Sequence, residues 1–296
     1  MSDYEILAIG PFAADSLKAD LDDTSRNLLL DDMQQAQANL VWLEHSSRRA
    51  KLGLNNNDDV LVRLAAFRVE PDRQELSLAL GITSFREFVA TRSREAMRGG
   101  SWDSLANPLA VAAAVVTADE KILVGPRPNN AHIHPGKYFL VGGFVDRSDL
   151  AMPEGLVHAM KREIYEEVGV ASSAISDITC TGLNFDLAYP HPELSFSVRI
   201  TESFATVATH TPQDKDEVLA LESIDNTPNG VSSWLRQVYP RSVVGTAVAC
   251  LLLHGRLTFG ERWFHNTREQ LSTVTQFTRH DGVLIAARPA VAGPKI

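Results

Sequence analysis

Residues 142–170, GGFVDRSDLAMPEGLVHAMKREIYEEVGV, constrain the fold more than any other stretch of this chain. A helix over residues 153–168 puts Glu163, Glu166 and Glu167 at i, i+3 and i+4, projecting from one face. On the same helix Val157, Met160, Ile164 and Val168 make an apolar stripe that needs a sheet or another helix to bury it. An acid and a proline precede the segment, and Gly169 follows it as a stop signal. One edge of the helix therefore belongs to a core while the neighbouring edge carries three clustered carboxylates. Hard divalent cations take oxygen ligands, and magnesium commonly bridges carboxylates to substrate phosphates. Arg162 lies one turn before Glu166 and can pair with it to fix its rotamer. A solvated acidic face would look similar, because like charges at this spacing cost only about a few tenths of a kcal/mol.

The surrounding pattern decides between the two. Glu154, seven spacers and then Arg162-Glu163-Ile164-Tyr165-Glu166-Glu167-Val168-Gly169-Val170 follow Glu-x7-Arg-Glu-U-x-Glu-Glu-x-Gly-U, with U aliphatic. In this the chain resembles the Nudix, or MutT-like, pyrophosphohydrolases. The resemblance implies an α/β/α sandwich, Mg²⁺ or Mn²⁺ as cofactor, and Glu163, Glu166, Glu167 and Glu154 as metal ligands. It also implies catalytic roles for Glu166 and Glu163, with Arg162 positioning a glutamate. One position departs from the family. The glycine expected six residues before Glu154 is Ser148, and the pair Gly142-Gly143 that usually supplies it comes earlier. An insertion around residues 147–152 accounts for the difference and puts the role of Glu154 in question.

Other polar residues are candidates by position. Glu217 falls where relatives often place an extra acidic ligand or base, and Glu193, at a strand start, is the next such acid. Arg127 and Lys137 flank the loop ahead of the glycine pair and, with Gly142 and Gly143, are the candidate substrate-binding residues. His132, His134 and His191 lie in loops near the expected cleft.

The chain has 296 residues, 44% hydrophobic and 22% charged, enough for one large or two modest soluble domains. The run LAVAAAVVT at residues 109–117 reads as a strand buried on both faces, paired with residues 121–125. Strands are expected at 60–69, 75–80, 137–144, 178–189, 194–202 and 218–222, and helices at 28–43, 83–97, 231–238 and 243–254. Thr83 or Ser84 would cap the second helix, with Glu87 completing a capping box. Beyond Arg256 the pattern weakens. The order predicts a mixed α/β (α+β) architecture: residues 1–104 as a smaller α+β domain without catalytic signature and 105–296 as the Nudix domain.

A net charge of −9 argues against a nucleic-acid backbone binder, though a cation can still neutralise a site for a small phosphorylated ligand. No window is apolar enough to span a membrane, the first thirty residues are too polar for a signal peptide, and a cytoplasmic location is expected. Cys180 and Cys250 stand alone in apolar contexts, as free core thiols would. Residues 78–92 and 106–127 are similar to the region joining the N-terminal extension to the Nudix domain in UDP-sugar diphosphatases. That resemblance implies a UDP-sugar split to UMP and a sugar 1-phosphate, and a homodimer built on the N-terminal part is compatible with it. ADP-ribose or another dinucleotide as substrate, and a nucleotide sensor that binds without cleaving, are the alternatives.

Overall fold

The computed structural model describes residues 3–54, 57–92, 101–213 and 220–277. Its organising strand is β5 (Ala110–Val116), every residue of which is buried. Val111, Ala113 and Val115 face one hydrophobic cluster, and Ala112, Ala114 and Val116 face another. This is the two-sided burial that the continuous apolar run predicts. Helix α4 (Leu156–Val168) covers the first face, with Val157, Met160, Ile164 and Val168 all at most 4% exposed. Each such burial stabilises by about 1.5–3 kcal/mol. Helix α7 (Gly245–Phe259) covers the second. The result is the expected α/β/α sandwich.

Among the described residues the larger sheet has eight strands. Its main path runs β1 (Tyr4–Phe12), β9 (Ile175–Asp186), β10 (His191–Ile200), β5, β6 (Lys121–Pro126) and β11 (Glu222–Asp225). Off this path β7 (Tyr138–Phe139) pairs with β6, and β8 (Val141–Phe144) pairs with β5. The β10–β5 pairing is parallel and the others are antiparallel. A second sheet contains β2 (Leu17–Leu21), β4 (Glu75–Ser84) and β3 (Val60–Glu70), in that order. Strand β1, although it comes from the segment assigned to the smaller unit, is an edge strand of the larger sheet. Strand β3 joins the two sheets: Val62 N–H donates to Val145 O at 3.1 Å and Leu109 N–H donates to Val62 O at 2.8 Å. The N-terminal segment is therefore built onto the sandwich.

Its helix α1 (Asp32–Ala50) starts with Asp31 and Gln34 in a reciprocal capping box. In α2 (Phe85–Thr91) Ser84 and Glu87 form the second box, as the sequence predicts. The rest of the expected 83–97 helix lies partly outside the described residues.

Several boundaries differ from expectation, among them the first helix, at 32–50 rather than 28–43. The catalytic-region helix starts at Leu156, not at residue 153. Gly155 breaks it with φ +51°, and Pro153 and Glu154 belong to the preceding turn. The stretch expected as an insertion contains a separate short helix, α3 (Arg147–Leu150). The weakly patterned end also contains more order than expected, in α8 (Glu261–Phe277). Among its described side chains Phe264, Thr267 and Leu271 make a thin buried stripe, too narrow for a clear helical period. Completing the described helices are α5 (Phe204–Val207) and α6 (Pro228–Val238). Both cysteines are free and buried, and burial pushes each thiol up to about 12. Among the described residues no helix is long and apolar enough to cross a membrane.

Candidate active site

Strand β8 runs antiparallel to β5, with Gly143 opposite Val111 and Gly142 opposite Ala112, and so brings the glycine pair beside α4. A Cβ on Gly143 would stand 2.5 to 2.6 Å from the carboxylate atoms of Glu163, so only glycine leaves room for that side chain. The Gly142 N–H donates to Glu167 Oε2 at 3.1 Å. Glu163 and Glu167 are buried at 5% and 6% exposure, while Glu166 is half-buried.

Arg162 ties this group together. Its Nη1 donates to Glu163 Oε1 and to Glu166 Oε2, both at 2.8 Å, and its Nη2 donates to Phe144 O at 3.0 Å. Nε and Nη2 also hold Asp149 of α3, at 3.0 and 2.9 Å. Burial opposes the Arg162 charge, but the Asp149 hydrogen bonds and the charges of Glu163, Asp149 and Glu166 outweigh it and raise the pKa. The guanidinium is a fixed cation that sets the rotamers of two glutamates.

The three glutamates line a cleft of about 780 Å³, within the range of small-ligand sites. Arg127 reaches the same cleft, its guanidinium 5.1 Å from the Phe139 ring centre, and so do His132 and His191. Burial pushes the His132 pKa down to about 3, helped by the charge of Arg49, so this ring is neutral. Lys137 does not line the cleft; its carbonyl accepts from Arg127 N–H at 2.9 Å. His134 turns instead to Asp186, at 2.5 Å in the interior.

Glu154 is not brought to the group. It is exposed, binds Lys161 Nζ at 2.7 Å, and lines a separate cleft beside β2. The physical cause is the turn that ends at Gly155, which places residue 154 outside the helix. Glu217 lies outside the described residues. Two contributions escape a sequence reading. Arg49, Asn57, Asp59 and Phe85, from the segment without catalytic signature, form part of the cleft wall. Asp146 also lines it, and burial raises its pKa against the pull of Arg162. No local motif marks these residues, because the tertiary packing of α1, the segment before β3, α2 and the turn after β8 delivers them.

The carboxylate set suits a hard cation by its donor chemistry, all oxygen, and by the room that Gly143 leaves for Glu163. Among the described residues no three Asp, Glu, His or Cys side chains already converge as a metal-binding group. Arg162 and the Gly142 N–H hold the glutamates in the arrangement seen.

Residues 106–241 match the family model described as NUDIX domain. No curated protein matches the chain significantly. Among solved structures, a MutT protein from Methanosarcina mazei Go1 is 16% identical, with 57% of this chain and 94% of that one covered and a TM-score of 0.32. A NUDIX hydrolase from Alicyclobacillus acidocaldarius is 17% identical over 50% of this chain and 90% of its own, with a TM-score of 0.35. A NUDIX hydrolase from Nitrosomonas europaea is 16% identical over 49% and 86%, with a TM-score of 0.33. Residues 106–241 thus carry the match to a NUDIX domain, the domain of hydrolases that act on phosphoanhydride bonds.

Proposed function

We propose that this chain is a divalent-metal-dependent pyrophosphohydrolase that cleaves the diphosphate of a nucleoside diphosphate linked to a second moiety. The observation that carries the reading is that Glu163, Glu166 and Glu167 line one cleft with Arg127, the first two held by the half-buried Arg162 and the third by the Gly142 N–H. Mg²⁺ or Mn²⁺ would be held by Glu163, Glu166 and Glu167, and when bound would polarise a phosphoryl oxygen and acidify water.

The chain's own residues prepare that chemistry. Arg162 keeps Glu163 and Glu166 extended toward the cleft, and the Gly142 N–H orients Glu167. Arg127 offers a positive charge to the diphosphate from the facing loop. Glu166, the least buried of the three, is the carboxylate best placed to accept a proton from attacking water. Water oxygen then bonds to one phosphorus, the bridging P–O bond breaks, and the leaving phosphate carries away the bond's electron pair.

Within this class we favour a UDP-sugar, with UMP and a sugar 1-phosphate as products. The similarity of residues 78–92 and 106–127 to UDP-sugar diphosphatases supports it. A cleft of about 780 Å³ has the capacity for part of such a ligand. The test is a panel of UDP-sugars, ADP-ribose, NADH, dinucleoside polyphosphates and CoA, with and without divalent metal. Metal-dependent release of UMP from a UDP-sugar is expected. Preference for ADP-ribose or CoA would remove the narrower assignment, and no turnover of any member would remove the broader one.

A further inference from the structure

Across the sheet from α4, the cleft contains a buried acid that the reaction outlined above does not use. Glu193 of β10 sits between Ala110 of β5 and Asn184 of β9. Ala112, on the same face as Ala110, packs in the α7 cluster, whereas Val111 and Ala113 pack in the α4 cluster. Glu193 therefore leaves the sheet on the α7 side, and its Oε2 accepts a hydrogen bond from the Thr246 hydroxyl of α7 at 3.2 Å. It nevertheless lines the same cleft as the three glutamates that α4 supplies from the opposite face.

Glu193 is only 1% exposed, yet its Oε1 has no hydrogen-bond partner among the described residues. Its cross-strand neighbour repeats the situation. Asn184 is fully buried, its Nδ2 donates to Ser195 Oγ at 2.7 Å, and its Oδ1 has no partner among the described residues. A buried polar atom left unpaired costs about 1–3 kcal/mol, so two on adjacent strands are a substantial local cost. Asn184 Oδ1 can only accept, whereas Glu193 Oε1 accepts or, where the carboxyl holds its proton, donates. A hydroxyl group can meet both needs, and the diphosphate bridge at neutral pH brings no donor. Burial, reinforced by the charge of Asp186 and moderated by Thr246, Arg127 and Asn184, pushes the Glu193 carboxyl up to about 8. At neutral pH the group is mostly uncharged and does not repel a polyanionic ligand.

We propose that Glu193 is a substrate-contacting residue whose carboxyl hydrogen-bonds a hydroxyl of the moiety linked to the nucleoside diphosphate. The proposal rests on the hydrolase reading and adds a specificity element to it. Anchoring of Oε2 by Thr246 leaves Oε1 for the ligand, and Asn184 Oδ1 offers a second acceptor beside it.

The test compares wild type, Glu193→Gln and Glu193→Ala with the preferred conjugate of the panel, UDP-glucose or ADP-ribose. Its methylene-bridged analogue, which cannot be cleaved, and the methyl ester of the same nucleoside diphosphate complete the set. In Glu193→Ala, KM and the Kd of the methylene analogue should rise about tenfold or more, with kcat within about threefold. Binding of the methyl ester, which lacks the second moiety, should not change. Glu193→Gln keeps a donor and an acceptor and should restore both constants to within about threefold. Unchanged KM in Glu193→Ala, or equal weakening of the methyl ester, would overturn the proposal. So would a Gln variant as impaired as Ala, with a matching fall in melting temperature, because that is the signature of a structural role. Binding without turnover by the wild type would instead overturn the hydrolase reading, and the binding comparison alone would then decide the role of Glu193.

Discussion

Arg162 grips Asp149 with two parallel hydrogen bonds, Nε to Oδ1 at 3.0 Å and Nη2 to Oδ2 at 2.9 Å. Asp149 stands in the short helix α3 ahead of α4, and its side chain is 1% exposed. That helix therefore supplies a buried counter-charge that holds the same guanidinium as Glu163 and Glu166. Removing one partner of such a pair leaves an uncompensated charge, at a cost of about 3–5 kcal/mol. Asp149→Ala should lower stability by that order in chemical denaturation. Asp149→Asn, which keeps the shape, should fold and lose about ten- to a hundredfold in kcat, as loss of an outer support for metal-binding groups does. Wild-type kcat in a folded Asp149→Asn would show that the glutamates do not need this anchor.

Gly142 and Gly143 predict two different failures from the same substitution. A Cβ at 143 would meet first the Glu163 carboxylate, the movable end of a side chain, at 2.5 to 2.6 Å. At 142 it would lie 2.2 Å from Val111 O and 2.7 Å from Ala112 Cα, both backbone atoms of the central strand. Gly143→Ala should remain folded and lose about tenfold or more in kcat, because Glu163 must leave its place. Gly142→Ala should fail at the level of the fold, seen as a large drop in melting temperature. Equal stability of the two variants would contradict this geometry.

The parts of this architecture that rest on local periodicity were legible in the residues. The Val157, Met160, Ile164 and Val168 stripe, the all-buried β5 and the Ser84–Glu87 capping box are each encoded within a few residues of one another. What could not be read depends on contacts between distant segments. Asp149 meets Arg162 because of how a three-dimensional turn closes, and Arg49 reaches the cleft because α1 packs there. Glu154 shows the opposite case: its spacing to Arg162 fits the family pattern, but the turn at Gly155 sends its side chain to Lys161. The orphaned oxygens of Glu193 and Asn184 have no sequence signature at all, since burial and unpaired atoms are properties of the assembled sheet.

That contrast between Glu154 and the other acids leads to a mutational prediction. Glu166→Gln and Glu167→Gln remove charge from groups held inside the cleft while keeping volume and a hydrogen-bonding end. Each should leave the melting temperature within a few degrees and reduce kcat by about a hundredfold or more. Glu154→Gln alters an exposed pair with Lys161 and should change kcat by less than about threefold. A hundredfold loss in Glu154→Gln would show that residue 154 joins the glutamates during turnover.

The junction between α1 and the cleft loop predicts a stability change with acid. His45 Nε2 and His132 Nδ1 lie 3.4 Å apart, in a pile that includes Trp42 and Phe85. Burial, with Arg92, Arg49 and Arg48 around it, lowers the His45 pKa from 6.5 to about 4. Burial and then Arg49, His45, Arg92 and Arg127 lower that of His132 to about 3. Well above pH 6.5 both rings are neutral whether the chain is folded or unfolded, and neither makes stability depend on pH. As pH falls below that value the unfolded chain binds protons that the folded one refuses, so stability declines down to the folded values near 4 and 3. His132→Phe keeps an aromatic ring against Phe85 and removes one of the two protonation sites. Its melting temperature relative to wild type should therefore climb steadily from pH 7 to pH 5. Parallel melting curves for the two proteins across that window would show that His132 is not held neutral by the fold.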